Sequence, residues 1–420
     1  MTGRLRTAAV LEAALDLCVF LLLPLLVLFP LTAATLAGAA GLCAFGLAAP
    51  AGFAAWRGLR RPALLLAALL AWGLLSSLWA VQPGRSLLMA ARLLGLFAGG
   101  LALIAAAPLL AAPGRLVGWL CGGLAVALVL TAVQDWTLGA LTRPFVEHVF
   151  DEPRLNHIES ALVLLVLPLG ATLVLQRRRL VAALLAVPTA AAILLLVGDA
   201  ARLAFLAGIG AAAALYVARR SVARLAAALG ALVVLLAPLI FPPLLGIKAV
   251  VRPVEHLAKI SMWHRLEIWN FVGARIAERP LLGWGLDSSR AIPGGNEVIP
   301  FPSVLPLVEY LPLHPHNMTL QIWLELGLPG ALLCALLVAL PWLTLATAPW
   351  PRLYAAAAGG SLTAAFVVAL GSFGLWQEWW IGTEFLALFA ILAMARALSV
   401  DDGAAAARGP CRARPAQPMP

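Results

Sequence analysis

Charged residues are scarce in this chain of 420 residues. Asp, Glu, Lys and Arg make up 11% of it, whereas hydrophobic residues make up 63%. Because about a quarter of the residues in a soluble domain are charged, this composition excludes a soluble multidomain protein and predicts a protein embedded in a lipid bilayer. The net charge of +10 does not indicate nucleic-acid binding, since the arginines stand in twos and threes at the ends of apolar runs.

Cysteines and metal-binding motifs are few as well. Of the five cysteines, four lie inside apolar runs and Cys411 lies near the C-terminus, without the spacing of a metal site or of a disulfide framework. The sequence has no HExxH and no DxD or ExD pair on its predicted outer face, and the Gly-x-Gly at residues 283–285 lacks the strand and helix of a nucleotide site. We therefore expect neither a metal nor another cofactor.

Twelve apolar runs are predicted to be transmembrane helices, each of which needs roughly 20 apolar residues. The runs begin near Ala8, Leu31, Pro62, Ser86, Leu116, Ile158, Leu180, Arg202, Val222, His316, Leu353 and Trp380. The first is too long for the core of a secretory signal and is interpreted as an uncleaved helix. Arginine clusters recur at every second connection, so the positive-inside rule predicts that both termini are cytoplasmic in a bacterial inner membrane.

This topology divides the chain into four regions. Residues 1–245 hold nine transmembrane helices, 246–315 form a large periplasmic loop, 316–400 hold three more helices, and 401–420 are a cytoplasmic tail predicted to be disordered. Within the loop, HLAKISMWHRLEIWNFVGARIAERP places apolar residues at helical spacing between charged ones, which predicts a helix on the membrane surface. The expected fold class is an all-α polytopic membrane protein.

Histidines are confined to the predicted outer segments or their edges, at His148, His157, His256, His264, His314 and His316. Since histidine exchanges protons near neutral pH, this confinement favours acid or base chemistry on the outer face, although any single one could be an ordinary loop residue. The sharpest candidate is His-Pro-His-Asn at residues 314–317, where a loop enters a span. A metal site at His314 and His316 is the weaker alternative, because no third ligand has suitable spacing.

Two arginines, Arg202 and Arg265, stand apart from the orienting clusters on the predicted outer side. A guanidinium presents a planar fork that matches phosphate oxygens, so this pair could hold a diphosphate without a metal. The alternatives are that Arg202 snorkels to the outer headgroups and that Arg265 binds lipid headgroups from a surface helix.

Arg85 and Arg92 are seven residues apart on one face of the fourth span. An arginine inside an apolar run costs roughly 2.5–3.5 kcal/mol on insertion scales, so we expect Arg92 to face a wet cavity and an anionic ligand, with an ion pair in the bundle as the alternative. Asp16, Glu325 and Glu384 are the acids within spans that could pair with it, and their spacing assigns no role to them.

Four segments together resemble the O-antigen ligase and polymerase superfamily. They are SLWAVQPGRSL at 77–87, GDAARLAFLAG at 198–208, HRLEIWNFVGARIAERPLLGWG at 264–285 and HPHNMTLQIWLELGLPG at 314–330, in the order found in that family. The family pattern is similar to Arg-x-x-x-Trp, Pro-Leu-x-Gly-x-Gly, His-Asn and Glu-x-Gly-x-x-Gly, all of which this sequence contains. It departs from the pattern at Ala201, where the family often has serine before the arginine.

The resemblance implies a membrane-embedded glycosyltransferase of the GT-C type. Its donor would be a glycan on undecaprenyl diphosphate and its acceptor the lipid A core oligosaccharide, joined on the periplasmic side, most simply with inversion and without metal. The residues expected to be catalytic are His316, Arg265 and Arg202, and those expected to bind substrate are Arg85, Arg92, Asn317, Trp269 and His314. An O-antigen polymerase or a protein O-oligosaccharyltransferase would share the donor and remains an alternative, as does a polytopic lipid or glycan transporter of a different class.

Overall fold

The computed structural model describes residues 2–142, 155–196, 198–246, 260–299 and 308–407. This part of the chain is helical throughout, apart from turns and an isolated bridge between Val298 and Glu309. The main helices are α1 (Thr2–Leu28), α2 (Thr32–Ala48), α3 (Arg60–Leu75), α4 (Pro83–Ala106), α5 (Pro113–Trp136), α6 (Leu155–Leu175), α7 (Arg179–Leu195), α8 (Asp199–Ile240), α9 (Ile260–Glu278), α10 (Met318–Thr347), α11 (Arg352–Gly371) and α12 (Glu378–Ala407).

Ten of the described segments are long and apolar enough to cross a membrane. Helix α7, with 17 residues, is a shorter apolar helix. Helix α8 has 42 residues but a non-helical Ala218 (φ −138°, ψ 59°), which divides it into two segments of spanning length. With α7 and the division of α8, the described helices correspond to the twelve predicted runs, and the all-α membrane fold class is confirmed.

Small residues allow these helices to approach closely. A Cβ atom on Gly41 of α2 would lie 2.6 Å from the Cα of Gly99 in α4, and one on Gly208 of α8 would lie 2.9 Å from the carbonyl oxygen of Gly360 in α11. Membrane helices gain little from the hydrophobic effect when they associate, so such contacts provide the van der Waals packing that holds them together. The pairs α2–α4 and α8–α11 are fixed in this way.

Helix α9 confirms the helix predicted inside the long loop, and its apolar face is covered by the protein itself. Ile268, Val272 and Ile276 are buried against Leu320 and Leu324 of α10. This packing anchors the loop to the start of α10. His148 and His256 lie outside the described residues. The predicted tail begins as helix, because α12 continues to Ala407, and residues 408–420 lie outside the described residues.

Alternation of the spans gives the bundle two ends. At one end lie the starts of α10 and α12 and the end of α11, and we call this the histidine end because His314 and His316 lie there. At the other end lie the end of α10, the start of α11 and the break in α8, and we call this the opposite end.

Candidate functional site

Two of the motif segments interlock at the histidine end through their backbones. Trp284 donates its N–H to Leu324 O (2.9 Å), Gly285 donates to Glu325 O (2.8 Å), and Leu328 donates to Pro280 O (3.0 Å). A Cβ atom on Gly283, whose φ is +69°, would lie 2.4 Å from the backbone carbonyl oxygen of Glu325. Gly283 is therefore required by the close approach of two backbones, and Gly285 (φ +101°) is required because a Cβ atom there would lie 2.5 Å from the Cα of Ala80.

Glu325, whose role the sequence left open, is the fully buried acceptor at the centre of this interlock. One carboxylate oxygen accepts from the backbone N–H of Asp287 (2.5 Å) and from Nε1 of Trp376 (2.6 Å). The other accepts from Nε2 of Gln321 (3.0 Å) and from the hydroxyl of Ser289. These bonds tie the loop at 287–289 to α10 and to the connection between α11 and α12. The same bonds hold Asp287 in a left-handed conformation (φ 54°), which is strained for a non-glycine residue.

His316 is oriented by the connection that follows α11. Its Nδ1 lies 2.6 Å from the carbonyl oxygen of Ser372, and because that oxygen can only accept, Nδ1 carries the proton and Nε2 has a free lone pair in the neutral ring. The residue has φ +52°, a left-handed conformation that is uncommon for residues other than glycine. Burial, together with the charges of Arg265 and His264, lowers the pKa of His316 to about 4, partly opposed by the bond to Ser372. The ring is therefore neutral at neutral pH.

His314 packs beside His316, with ring centroids 4.2 Å apart. Its Nδ1 accepts the backbone N–H of His316 (3.2 Å), and its Nε2 lies 3.3 Å from the side-chain amide of Gln377. Burial and the neighbouring charges of His316, Arg290 and Arg265 lower the pKa of His314 to about 3. His314 thus supports the turn that presents His316.

Trp269 and Asn317, two further residues predicted to bind substrate, position the His-Pro-His-Asn turn. Trp269 of α9 donates Nε1–H to Pro315 O (2.9 Å) and packs edge-to-face on Phe241. Asn317 is fully buried and caps α10, because its Oδ1 accepts the backbone N–H groups of Thr319 and Leu320. Capping of this kind satisfies donors that a helix start leaves free. The His-Pro-His-Asn turn is therefore fixed on both sides of His316.

Arg265 and Arg202 both lie near the carboxylate of Asp199. Arg202 pairs with Asp199 (3.1 Å) and also donates to the carbonyl of Leu196. Burial lowers the pKa of Arg265, and the nearby Asp199 carboxylate partly opposes this shift. The buried Nε of Arg265 has no hydrogen-bond partner among the described residues. Since Arg265 also acts on both imidazoles, the three residues predicted to be catalytic lie in one electrostatically connected region.

A cavity of about 710 Å³ opens at the same end of the bundle, lined on its polar side by Arg85, Arg92, Arg290, Asp287, Glu378 and His314. Its remaining wall includes Leu31, Ala34, Leu88 and Met89. Arg85 pairs with Asp287 (2.7 Å) and Arg92 with Glu378 (2.8 Å). The described lining residues do not include His316, Arg265 or Arg202, so the predicted residues fall into two neighbouring groups that meet at the two histidines.

Arg92 does not pair with any of the three acids considered from sequence. Its partner Glu378 begins α12, whereas Asp16 pairs with Arg115 (2.5 Å). Glu325 binds neutral donors instead. Sequence spacing could not identify these pairs, because each joins residues that are about a hundred or more positions apart.

Arg290 is the cavity residue that sequence analysis missed. It is exposed, lines the cavity and has no carboxylate within salt-bridge distance among the residues that the structure describes. The available signal was the one used for Arg265, namely an arginine on the outer side that does not belong to an orienting cluster. Within the described ranges, no group of three His, Cys, Asp or Glu side chains is arranged to hold a metal ion.

Comparison with known proteins agrees with the resemblance. A family model described as O-antigen ligase matches residues 183–335, which include Arg202, Arg265 and His316 but not Arg85 or Arg92. A Rickettsia conorii protein named "putative polysaccharide ligase" is 35% identical over 130 residues, which are 29% of each chain. One of the same name from Rickettsia typhi is 37% identical over 139 residues, 32% of this chain and 33% of the relative. The alignments thus span about a third of these relatives' length, and they agree with the predicted family over that part of the chain.

Proposed function

Because residues 183–335 match a family model described as O-antigen ligase, we propose that this chain is a glycosyltransferase acting on the periplasmic face of the inner membrane. It transfers O-antigen polysaccharide from undecaprenyl diphosphate to the lipid A core oligosaccharide. The observation that supports this proposal best is the orientation of His316, whose Nδ1 is bonded to Ser372 O (2.6 Å) while Nε2 is left free to accept a proton.

In the proposed reaction, Nε2 of His316 accepts the proton of an acceptor sugar hydroxyl. The oxygen attacks the anomeric carbon of the donor sugar and forms the new glycosidic bond with inversion. The bond between that carbon and the diphosphate breaks, and its electron pair stays on the carrier diphosphate. His316 then releases this proton to water, which restores the neutral base for the next turnover, and no divalent metal takes part.

Arg265 and Arg202 bind the diphosphate and stabilise the negative charge that grows on it as the bond breaks. Fixed charges act strongly at this point because they are oriented before the reaction begins. A bound diphosphate also offsets the positive charge of Arg265 that lowers the pKa of His316. Donor binding therefore raises the basicity of His316, which becomes a stronger base when a substrate is present.

The decisive experiment replaces His316 by Asn as well as by Ala. Asparagine tolerates a left-handed backbone and its side-chain amide can still donate to Ser372 O, so His316→Asn removes the base while keeping the local fold. General bases contribute about 10²–10⁴-fold to the reaction rate. We therefore expect the transfer rate of both variants to fall by at least about 10²-fold. The assay is the formation of capped lipopolysaccharide in a bacterium without its own ligase, followed by purified protein with both substrates.

Arg265→Lys provides the matching test of the diphosphate role, since it keeps the charge but loses the planar fork. We expect this variant to be strongly impaired, and we expect wild-type activity to persist with a chelator. Near-normal transfer by His316→Asn at normal protein abundance would remove the base assignment. Absence of transfer by the wild-type protein with both substrates would refute the proposed function as a whole.

A further inference from the structure

The cavity beside the two histidines contains an unbalanced positive charge. Among its lining residues are three arginines and two carboxylates. Arg85 is neutralised by Asp287 and Arg92 by Glu378, whereas Arg290 has no carboxylate partner in the described part of the chain. The arginine fork that is left over suits a phosphoryl group, which it can bind through two parallel hydrogen bonds.

The turn that carries Arg290 is held rigidly. Asp287 is kept in its left-handed conformation by Glu325 and Arg85, and the hydroxyl of Ser289 is bonded to Glu325. Arg290 follows directly, so the backbone that presents it is fixed from two sides although its side chain is exposed. Such preorganisation lowers the entropic cost of ordering a side chain on a ligand.

The cavity is also amphipathic and adjacent to the proposed base. Leu31 and Leu88, two of its apolar lining residues, are exposed, which suits the acyl region of a lipid. On its polar side, His314 contacts His316 with ring centroids 4.2 Å apart. A lipid-linked saccharide in this cavity would lie beside His314 and therefore close to His316.

We infer that this cavity is the acceptor site and that Arg290 selects an acceptor bearing a phosphoryl group. The inference rests on the proposed function, in which Arg202 and Arg265 hold the diphosphate of the donor. Arg85 and Arg92 then shape the cavity through their ion pairs, and Arg290 is the specificity-determining contact. The alternative source of the phosphoryl group is the carrier diphosphate itself.

The test compares Arg290→Gln with Arg279→Gln in steady-state transfer by the purified protein. Arg279 is also exposed, and its guanidinium lies 4.0 Å from the ring centroid of Trp284, which does not line the cavity. Loss of a charge-assisted bond predicts that Arg290→Gln raises the acceptor KM about tenfold or more, with kcat and donor KM changed less than about twofold. Phosphatase treatment of the acceptor should raise the wild-type KM similarly, and Arg290→Gln should not distinguish the two acceptors.

An unchanged acceptor KM in Arg290→Gln, or a wild-type KM that ignores phosphatase treatment, overturns the inference. A rise in donor KM instead would place the carrier in the cavity and overturn it too. Binding of lipid A core to the protein without donor, compared between wild type and Arg290→Gln, tests Arg290 even if no transfer occurs. Loss of transfer with intact Arg290-dependent binding would count against the proposed reaction alone.

Discussion

Arginines at the two ends of the bundle differ in what they bind. In the cavity, Arg85 and Arg92 pair with carboxylates from other segments. At the opposite end, Arg352 binds the carbonyl oxygens of Tyr216 and Val217. The second arrangement follows from the break at Ala218, which frees carbonyls that a continuous helix would satisfy.

The difference shows how the role of an arginine can be read from its acceptors. Arg219 binds the carbonyl oxygen of Trp350 (3.2 Å), and like Arg352 it completes backbone hydrogen bonding at the opposite end. In the cavity, by contrast, two arginines are paired with carboxylates. Arg290, which has no carboxylate partner among the described residues, is therefore the candidate contact for a ligand. Variants at the two ends should therefore fail in different ways.

The largest effect is expected for Glu325→Ala, which removes the buried acceptor beneath the cavity. A buried donor that loses its acceptor costs about 1–3 kcal/mol, and this variant leaves the N–H groups of Asp287, Gln321 and Trp376 unpaired. We expect the melting temperature in detergent to fall by on the order of 5–10 °C and transfer to be lost. Glu325→Gln is the matched control. It retains one acceptor oxygen, so it should recover part of the melting temperature and part of the transfer activity.

If Glu325→Ala unfolded no more readily than a variant at the break in α8, the contrast between the two ends would be wrong. Buried acceptors would then not hold the cavity, and the turn that carries Arg290 would owe its shape to something else. Measuring the melting temperature and the transfer activity of the same preparation distinguishes a loss of structure from a loss of catalysis.

A smaller effect, confined to the histidine end, is expected in the pH dependence. The pKa of His316 is lowered to about 4 in the folded protein from its ordinary 6.5, so the basic form persists below pH 6.5. Since kcat/KM reports the free enzyme, its acidic limb should fall near pH 4, and the limb of kcat should lie higher because the bound diphosphate offsets Arg265. Both are measured from initial rates at limiting and saturating donor.

The same lowered pKa has a consequence for stability. The unfolded chain binds a proton at this residue at a higher pH than the folded protein does, so stability declines as the pH falls from 6.5 toward 4. Enzyme exposed to each acidic pH is therefore returned to neutral pH and assayed again as a control. A kcat/KM limb at or above pH 6.5, with full recovery on return, would contradict the assignment of His316 as the base.

Much of the fold could be predicted from the sequence, because long apolar runs indicate spanning helices and arginines at every second connection indicate their orientation. The break in α8 was anticipated as two separate runs, although its carbonyl contacts with Arg352 were not. At the site, the motifs identified the segments that meet, since close backbone approach requires the glycines at 283 and 285. The partners of individual charges were not predictable: Arg85–Asp287 and Arg92–Glu378 join residues about 200 or more positions apart.

The smallest effect is expected at the opposite end, for Arg352→Ala. This exposed side chain lies 4.6 Å from the ring centroid of Tyr216 and donates to Val217 O (3.1 Å). Water can replace part of these contacts, so we expect a loss of about 1 kcal/mol, a small fall in melting temperature and unchanged acceptor and donor KM. Arg352→Lys, which keeps the charge and can donate to one carbonyl, should lie between Ala and wild type. A fall in kcat in Arg352→Ala at unchanged stability would mean that the break in α8 communicates with Arg202 on the same helix, and that the two ends are not independent.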